Sequence, residues 1–209
     1  MDKLDLRDII SEINEVIPST HNEQTDIYFE KIINQAICST PTSTSPTFIH
    51  MLGIPASGKS TFFNKNKDKY KDFILISFDS IMEEHPQYKD DLKNIGSVEA
   101  FKKWELPSKI AGYELLRRAI EQKKNIFFDH SGAPKCHQEL LTNIKKYGYK
   151  TEMYYIHCSK ELALKRAGER ESKTLRHTPT HLIEERFESI KNSTDTYKRI
   201  VDKFIYINQ

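Results

Sequence analysis

The sequence predicts an α/β fold: a parallel five-stranded sheet between two layers of helices, preceded by an N-terminal helical hairpin. Three observations predict it. Short apolar runs alternate with stretches of helical periodicity from residue 48 to the C-terminus, the pattern of repeated β–α–β units. A glycine-containing turn, Gly53-Ile-Pro-Ala-Ser-Gly58-Lys59-Ser60-Thr61, joins the first apolar run to a helix start. The 209 residues are 37% hydrophobic and 30% charged, enough apolar side chains for one globular domain with at most a small appendage.

Leu4–Val16 places Leu6, Ile9, Ile10, Ile13 and Val16 at helical spacing before Pro18 interrupts it. Asp26–Cys38 repeats the pattern with Ile27, Phe29, Ile32, Ile33, Ala36 and Ile37, and the two segments together read as the hairpin. Ser39–Thr47 (STPTSTSPT) is a Ser/Thr/Pro linker and the one clear shift in composition. The chain therefore divides into residues 1–47, extension and linker, and residues 48–209. Phe48–Leu52 is the first strand, and Ser60–Asn66 opens a helix. Asp72–Phe78 is the second strand, ending at Asp79, and Val98–Gln122 is a long helix with a bend expected near Pro107. Asn125–Phe128 is the third strand, ending at Asp129. Pro134–Tyr147 is a helix with proline in its first turn, where it is tolerated. Thr151–Cys158 is the fourth strand, Lys160–Glu171 and Pro179–Lys191 are helices, and Phe204–Asn208 is the fifth strand.

Several classes are disfavoured at once. A net charge of +2 is too weak to argue for nucleic acid or an anionic membrane. No apolar run is long enough to span a bilayer, and the charged N-terminus lacks the apolar core of a signal peptide. Cys38, Cys136 and Cys158 are odd in number and lack metal-ligand spacing, so they read as free thiols of a cytoplasmic protein.

The turn after the first strand fits the phosphate-loop pattern G-x-x-x-x-G-K-[ST] at every fixed position. Gly53 and Gly58 let the backbone curl, so that N–H groups across Ala56, Ser57, Gly58, Lys59, Ser60 and Thr61 face a phosphate. Lys59 belongs beside the β- and γ-phosphates of ATP or GTP, and the Ser60 hydroxyl on Mg²⁺. Sites in parallel sheets gather at the carboxyl ends of strands, where Asp79 and Asp129 both fall. At Asp79 a carboxylate can take the proton from an attacking hydroxyl; the bland alternative is a helix cap. Asp129 suits Mg²⁺ or substrate, against plain turn chemistry in His130-Ser131-Gly132. His130 by itself suggests a structural or substrate-edge role. Arg166 and Arg170 share one helix face and, with Arg176, could close over the transferring phosphoryl group; the alternative is a solvated face paired with Glu169 and Glu171.

These residues look like the zeta-toxin family of P-loop small-molecule kinases. In Asp79-Ser-Ile-Met-Glu-Glu-His85-Pro86 the acid is followed by His-Pro, as the family's catalytic aspartate is. Tyr113-Glu114 resembles the helix whose glutamate contacts substrate. Asn125–Gly132 (NIFFDHSG) resembles the strand and turn bearing a second acid and a hydroxyl residue, here Asp129 and Ser131. Tyr149-Lys-Thr-Glu-Met-Tyr resembles the next strand, and Arg176-His-Thr-Pro179 resembles the Arg-x-Thr-Pro element. The resemblance spans roughly Phe48 to Asn208. It implies a P-loop NTPase fold, Mg²⁺ with ATP or GTP, and a small-molecule hydroxyl acceptor such as UDP-N-acetylglucosamine. It further implies that Lys59, Asp79 and the three arginines are catalytic, that Glu114, Asp129 and Ser131 bind substrate, and that an antitoxin-like protein is a partner. Three features depart from the family. Asp129 stands where Glu is common, Ala133 replaces a basic residue, and the stretch between the lid arginines is shorter, so Arg166 and Arg170 compete for one role. Similar layouts occur in chloramphenicol phosphotransferase and polynucleotide 5′-hydroxyl kinases. The alternatives are a polynucleotide 5′-hydroxyl kinase and a nucleotide-gated binding protein without turnover.

Lys59→Ala should leave the fold intact and lower turnover about a thousandfold, since it removes a charge from the transferring phosphoryl group. Near-normal phosphotransfer in a steady-state assay would overturn the phosphate-loop reading.

Overall fold

In the computed structural model, which describes residues 4–11, 27–174 and 178–208, the elements run α1 (Ile27–Ser39), β1 (Thr47–Leu52), α2 (Lys59–Lys65), β2 (Phe73–Ile76), α3 (Phe78–Glu84), α4 (Pro86–Asn94), α5 (Ser97–Glu121), β3 (Asn125–Phe128), α6 (Cys136–Asn143), β4 (Lys150–His157), α7 (Lys160–Thr174), α8 (Thr180–Ile200) and β5 (Lys203–Asn208). The five strands form one sheet in the order β2-β3-β1-β4-β5. Every pairing is parallel, with Phe48 opposite both Ile126 and Thr151. From the central β1 the chain moves first toward β2 and β3 and later to β4 and β5. A crevice therefore opens beside the carboxyl end of β1.

The near-continuous apolar runs are explained by burial on both faces. Phe48, Leu52, Ile76, Ile126, Phe128 and Met153 face a large core shared with α1, α5, α6 and α8. Their neighbours Ile49, Met51, Phe127, Tyr154 and Ile156 face a smaller one under Phe62 and Phe63 of α2 and Tyr70. This period-two division makes the three layers.

The N-terminal segments share the larger core. Ile9 and Ile10 are fully buried there, and Phe29, Ile33 and Ile37 of α1 are buried beside them. The Tyr28 and Phe29 rings pack on His85, which also lies against Trp104 of α5. The Ser/Thr/Pro linker is pinned along its length: Lys124 Nζ donates to the Thr40 carbonyl at 2.6 Å, and Ser43 N–H donates to the Lys123 carbonyl at 2.8 Å.

Four sequence expectations change. Within Leu4–Val16 the described residues form only a short 3₁₀ turn, Leu6–Asp8, capped by Asp5; residues 12–26 lie outside the described residues. The second strand stops at Ile76 and not at Phe78, because Ser77 caps α3 by accepting the Ser80 N–H. Asp79 thus sits in the first turn of a helix instead of at a strand end. Pro134 precedes α6 and is outside its first turn; its carbonyl accepts the His137 N–H at 3.1 Å. The expected long helix holds, with Pro107 inside α5.

Gly112 of α5 is a packing requirement. A Cβ there would collide with the Phe78 ring, so only glycine lets α3 lie this close to α5. Gly112→Ala gains about 1 kcal/mol of helix propensity, whereas overpacking costs about 1–3 kcal/mol. We expect denaturant unfolding to show a net loss of stability and assays a larger loss of turnover, since Phe78 adjoins Asp79. A variant more stable than the parent would show that the ring can slide away freely.

Candidate active site

The phosphate loop bridges the end of β1 and the start of α2. Its shape needs unusual backbone: Gly53, Ala56 and Gly58 all have positive φ, at 154°, 61° and 104°. A Cβ on Gly53 would come within 2.8 Å of the Ile156 carbonyl oxygen, so β4 closes off any other residue. Gly53 N–H donates to the Ser131 carbonyl at 3.0 Å, fastening the loop to the turn after β3. Lys59 Nζ donates to the carbonyls of Gly53 and Ile54 at 2.8 and 3.0 Å and so spans the loop.

The Ser60 hydroxyl donates to Asp129 Oδ2 at 2.9 Å. Asp129 is held in place because its N–H donates to the Ile76 carbonyl at 2.9 Å, continuing the sheet one residue past β3. A hydroxyl beside a carboxylate is a hard-oxygen donor set, which fits Mg²⁺.

Both residues line a cleft of about 630 Å³, a size that suits a small ligand. Asp79, Ser131, Arg166 and Arg170 line the same cleft. Arg166 Nη1 reaches the Ser57 carbonyl at 3.4 Å, over the phosphate loop. Arg170 Nη2 donates to Thr178 Oγ1, tying α7 to the segment before α8. The structure thus brings Arg166 and Arg170 to one space together; Arg176 lies outside the described residues.

Glu114 goes elsewhere. Its carboxylate accepts from Arg117 and Arg118 at 2.6–2.8 Å, and Arg118 also donates to Glu30 of α1. Burial alone would raise its pKa, but the two guanidinium groups outweigh that and hold it below its ordinary value. Glu114 thus holds Arg118, which ties α5 to α1, and it lies outside the cleft. The face of α5 that does line the cleft carries Glu105, Ser108, Lys109 and Tyr113. Ser108 Oγ is buried without a hydrogen-bond partner, a group left for something that enters the cleft. Arg186 of α8 lines it too. The α5 residues follow helical spacing, but polar residues recur on more than one side of this helix, so spacing alone does not single out the cleft face. Nothing in the sequence separates Arg186 from other surface arginines.

Beneath this region His50, His130 and His137 meet. Burial lowers all three pKa values, His50 to about 4, with the positive charge of Lys59 adding to the effect at His50 and His130. All three imidazoles are neutral at pH 7.

The family model described as Zeta toxin matches residues 31–209. No curated protein matches the chain. Among solved structures, the chain is similar to one from the PezAT chromosomal toxin–antitoxin system of the human pathogen Streptococcus pneumoniae. The two are 15% identical with a TM-score of 0.68, over 90% of this chain and 80% of that one. It is also similar to a candidate kinase from Chloroflexus aurantiacus j-10-fl, 15% identical with a TM-score of 0.53, over 79% of this chain and 89% of that one. At such identities these likenesses speak for the shared fold. Among the described residues no helix is long and apolar enough to cross a membrane.

Glu114→Gln separates a structural role from a substrate role. Because the native carboxyl titrates below its ordinary value of 4.5, its contribution is fully present above that pH and is lost as pH falls through the depressed value. Unfolding free energy at pH 7 should drop by about 1.5–3 kcal/mol, the range for hydrogen bonds to charged groups, with parent and variant converging in acid and turnover preserved. Loss of turnover at unchanged stability would return Glu114 to the acceptor site.

Proposed function

We propose that this chain, which belongs to the Zeta toxin family and is a P-loop kinase, transfers the γ-phosphate of ATP or GTP to a hydroxyl of a sugar nucleotide such as UDP-N-acetylglucosamine. One observation carries the reading: the phosphate loop, the Ser60–Asp129 pair, Asp79 and two arginines surround a single cleft.

In this reading the loop amides from Ala56 to Thr61 and the Lys59 ammonium hold the β- and γ-phosphates. Ser60 and Asp129 would hold Mg²⁺, which when bound neutralises charge between the β- and γ-phosphates. Asp79 takes the proton from the acceptor hydroxyl as that oxygen bonds to the γ-phosphorus and the bond to the β-phosphate oxygen breaks. The nucleoside diphosphate leaves, and Asp79 returns its proton to solvent. Arg166, Arg170 and Arg176 counter the charge that builds on the transferring group.

The acceptor lies on the other side, between α5 and α8. Asp129 and Ser131 contact it, with Glu105 and Ser108 in the place first expected of Glu114. Lys109 and Arg186 supply the positive charge that a sugar-linked diphosphate requires, and Arg186 offsets the absence of a basic residue at Ala133. Residues 1–47 act as a structural extension of the kinase unit 48–209, since Ile9, Ile10, Phe29 and Ile33 bury in that unit's core. The similar structure belongs to a toxin–antitoxin system, and by that likeness we infer an antitoxin-like protein partner in the cytoplasm.

Asp79→Asn keeps the side-chain shape and removes the proton acceptor. Nucleotide affinity should survive while transfer falls by about a hundredfold or more. Loss of Mg²⁺-nucleotide binding with normal chemistry per bound nucleotide would instead make Asp79 a metal-site residue. Arg186→Gln should raise KM for a phosphorylated acceptor about tenfold and leave nucleotide KM unchanged. An unchanged acceptor KM would remove Arg186 from the acceptor site.

A further inference from the structure

His50 from the middle of β1, His130 from the turn after β3 and His137 from the first turn of α6 each bring a ring nitrogen within 4.8 Å of the others. Phosphoryl transfer as described above uses none of them. His50 and His137 are completely buried, and His130 and His137 line the cleft from below. Imidazoles in such a place must be partnered, and their partners orient them.

His50 Nδ1 lies against the Met51 carbonyl, to which it can only donate. His50 Nε2 therefore carries the lone pair. It is 2.7 Å from His137 Nδ1, which must be the donor of that bond. His137 Nε2 then accepts from the Tyr113 hydroxyl at 3.4 Å. A histidine fixed by a backbone carbonyl at one nitrogen, with the other turned into a histidine cluster, has the outer support typical of imidazole metal ligands. His130 lies against His137 with ring centroids 4.2 Å apart. Its Nδ1 accepts only a long 3.3 Å bond from the Gly132 N–H, so this ring is the easiest of the three to adjust.

We propose that His50, His130 and His137 form a site for one divalent first-row transition ion of the Zn²⁺ type, with a fourth coordination position facing the cleft. Three imidazoles with an open position are a donor set of zinc centres. Entry of the ion replaces the single N–H···N bond between His50 and His137. The His137 proton moves from Nδ1 to Nε2 and is donated to the Tyr113 oxygen, so both residues stay partnered and this switch releases no proton. Imidazole selects zinc, copper, nickel and cobalt over magnesium, whereas the Ser60–Asp129 oxygens have the opposite preference. The two sites are thus chemically separate. Lys59 and Arg186 are near enough to oppose a cation, so the site should bind more weakly than closed structural zinc sites. A bound ion would clamp the Asp129–Ser131 turn to β1 and α6.

The test uses the full-length, chelator-stripped protein in excess Mg²⁺, titrated with Zn²⁺ by calorimetry and with Co²⁺ by visible spectroscopy. One equivalent should bind, Tm should rise with Zn²⁺, and the Co²⁺ complex should show the strong visible bands of tetrahedral nitrogen ligation. His137→Gln should abolish binding. Because that residue is buried and its loss could unfold the chain, His130→Gln at the cleft edge is the second variant. It should keep its circular dichroism and lose affinity by about tenfold or more. Asp129→Asn should leave the Co²⁺ spectrum unchanged. No binding above the Mg²⁺ background, a weak octahedral spectrum, or a signal lost with Asp129→Asn and kept with both histidine variants would each overturn the site.

Discussion

The site depends on how closely three chain segments approach at Gly53. Its amide is fastened to the Ser131 carbonyl, and a side chain there would run into the Ile156 carbonyl of β4. At this point β1 ends, β4 passes on one side and the turn after β3 on the other. With no Cβ, the phosphate loop can curl within the width of the sheet, and the Asp129 turn comes to rest beside Ser60. The sheet order puts β1 in the middle, so the loop is anchored on both flanks. A loop held in this way is pre-organised and loses little entropy when it closes on a phosphate.

The second constraint is where charge is allowed. The cleft gathers Lys59, Lys109, Arg166, Arg170 and Arg186 against Asp79, Glu105 and Asp129, an excess of positive charge facing ligands that are polyanions. Deeper in the core the three histidines are neutralised by burial. Between these extremes Arg117 and Arg118 pair with Glu114, Glu121 and Glu30 along the outer side of α5. That network holds α1 on α5, which carries the proposed acceptor face on its other side. Buttress and binding surface are two faces of one helix.

α3 shows how packing reaches into chemistry. Ser77 ends β2 and starts the helix, Phe78 packs over Gly112, and Asp79 is the next residue. At the far end His85 terminates the helix among Trp104, Phe29 and Tyr28. The carboxylate proposed as base is thus held at both ends of a seven-residue helix, one end touching α5 and the other touching α1 as well.

What the sequence by itself determined was the framework. The five strands, the phosphate loop and the positions of Lys59, Ser60 and Asp129 were readable because each rests on local pattern: apolar runs, glycine spacing, a strand followed by an acid. The Asp72–Phe78 strand was read too long because Phe78 is apolar and continues the run, while the Ser77 cap that breaks it acts through one hydrogen bond. Which face of α5 meets the cleft was decided by tertiary structure. Glu114 and Glu105 are equally plausible on the helix, and only the docking of α1 and its Glu30 against Arg118 turns Glu114 outward. The arrival of Arg186 from α8 and the meeting of His50, His130 and His137 were decided in the same way. Their residues lie on different elements, and no spacing rule connects side chains that only the packing of a sheet against its helices brings within a few ångströms.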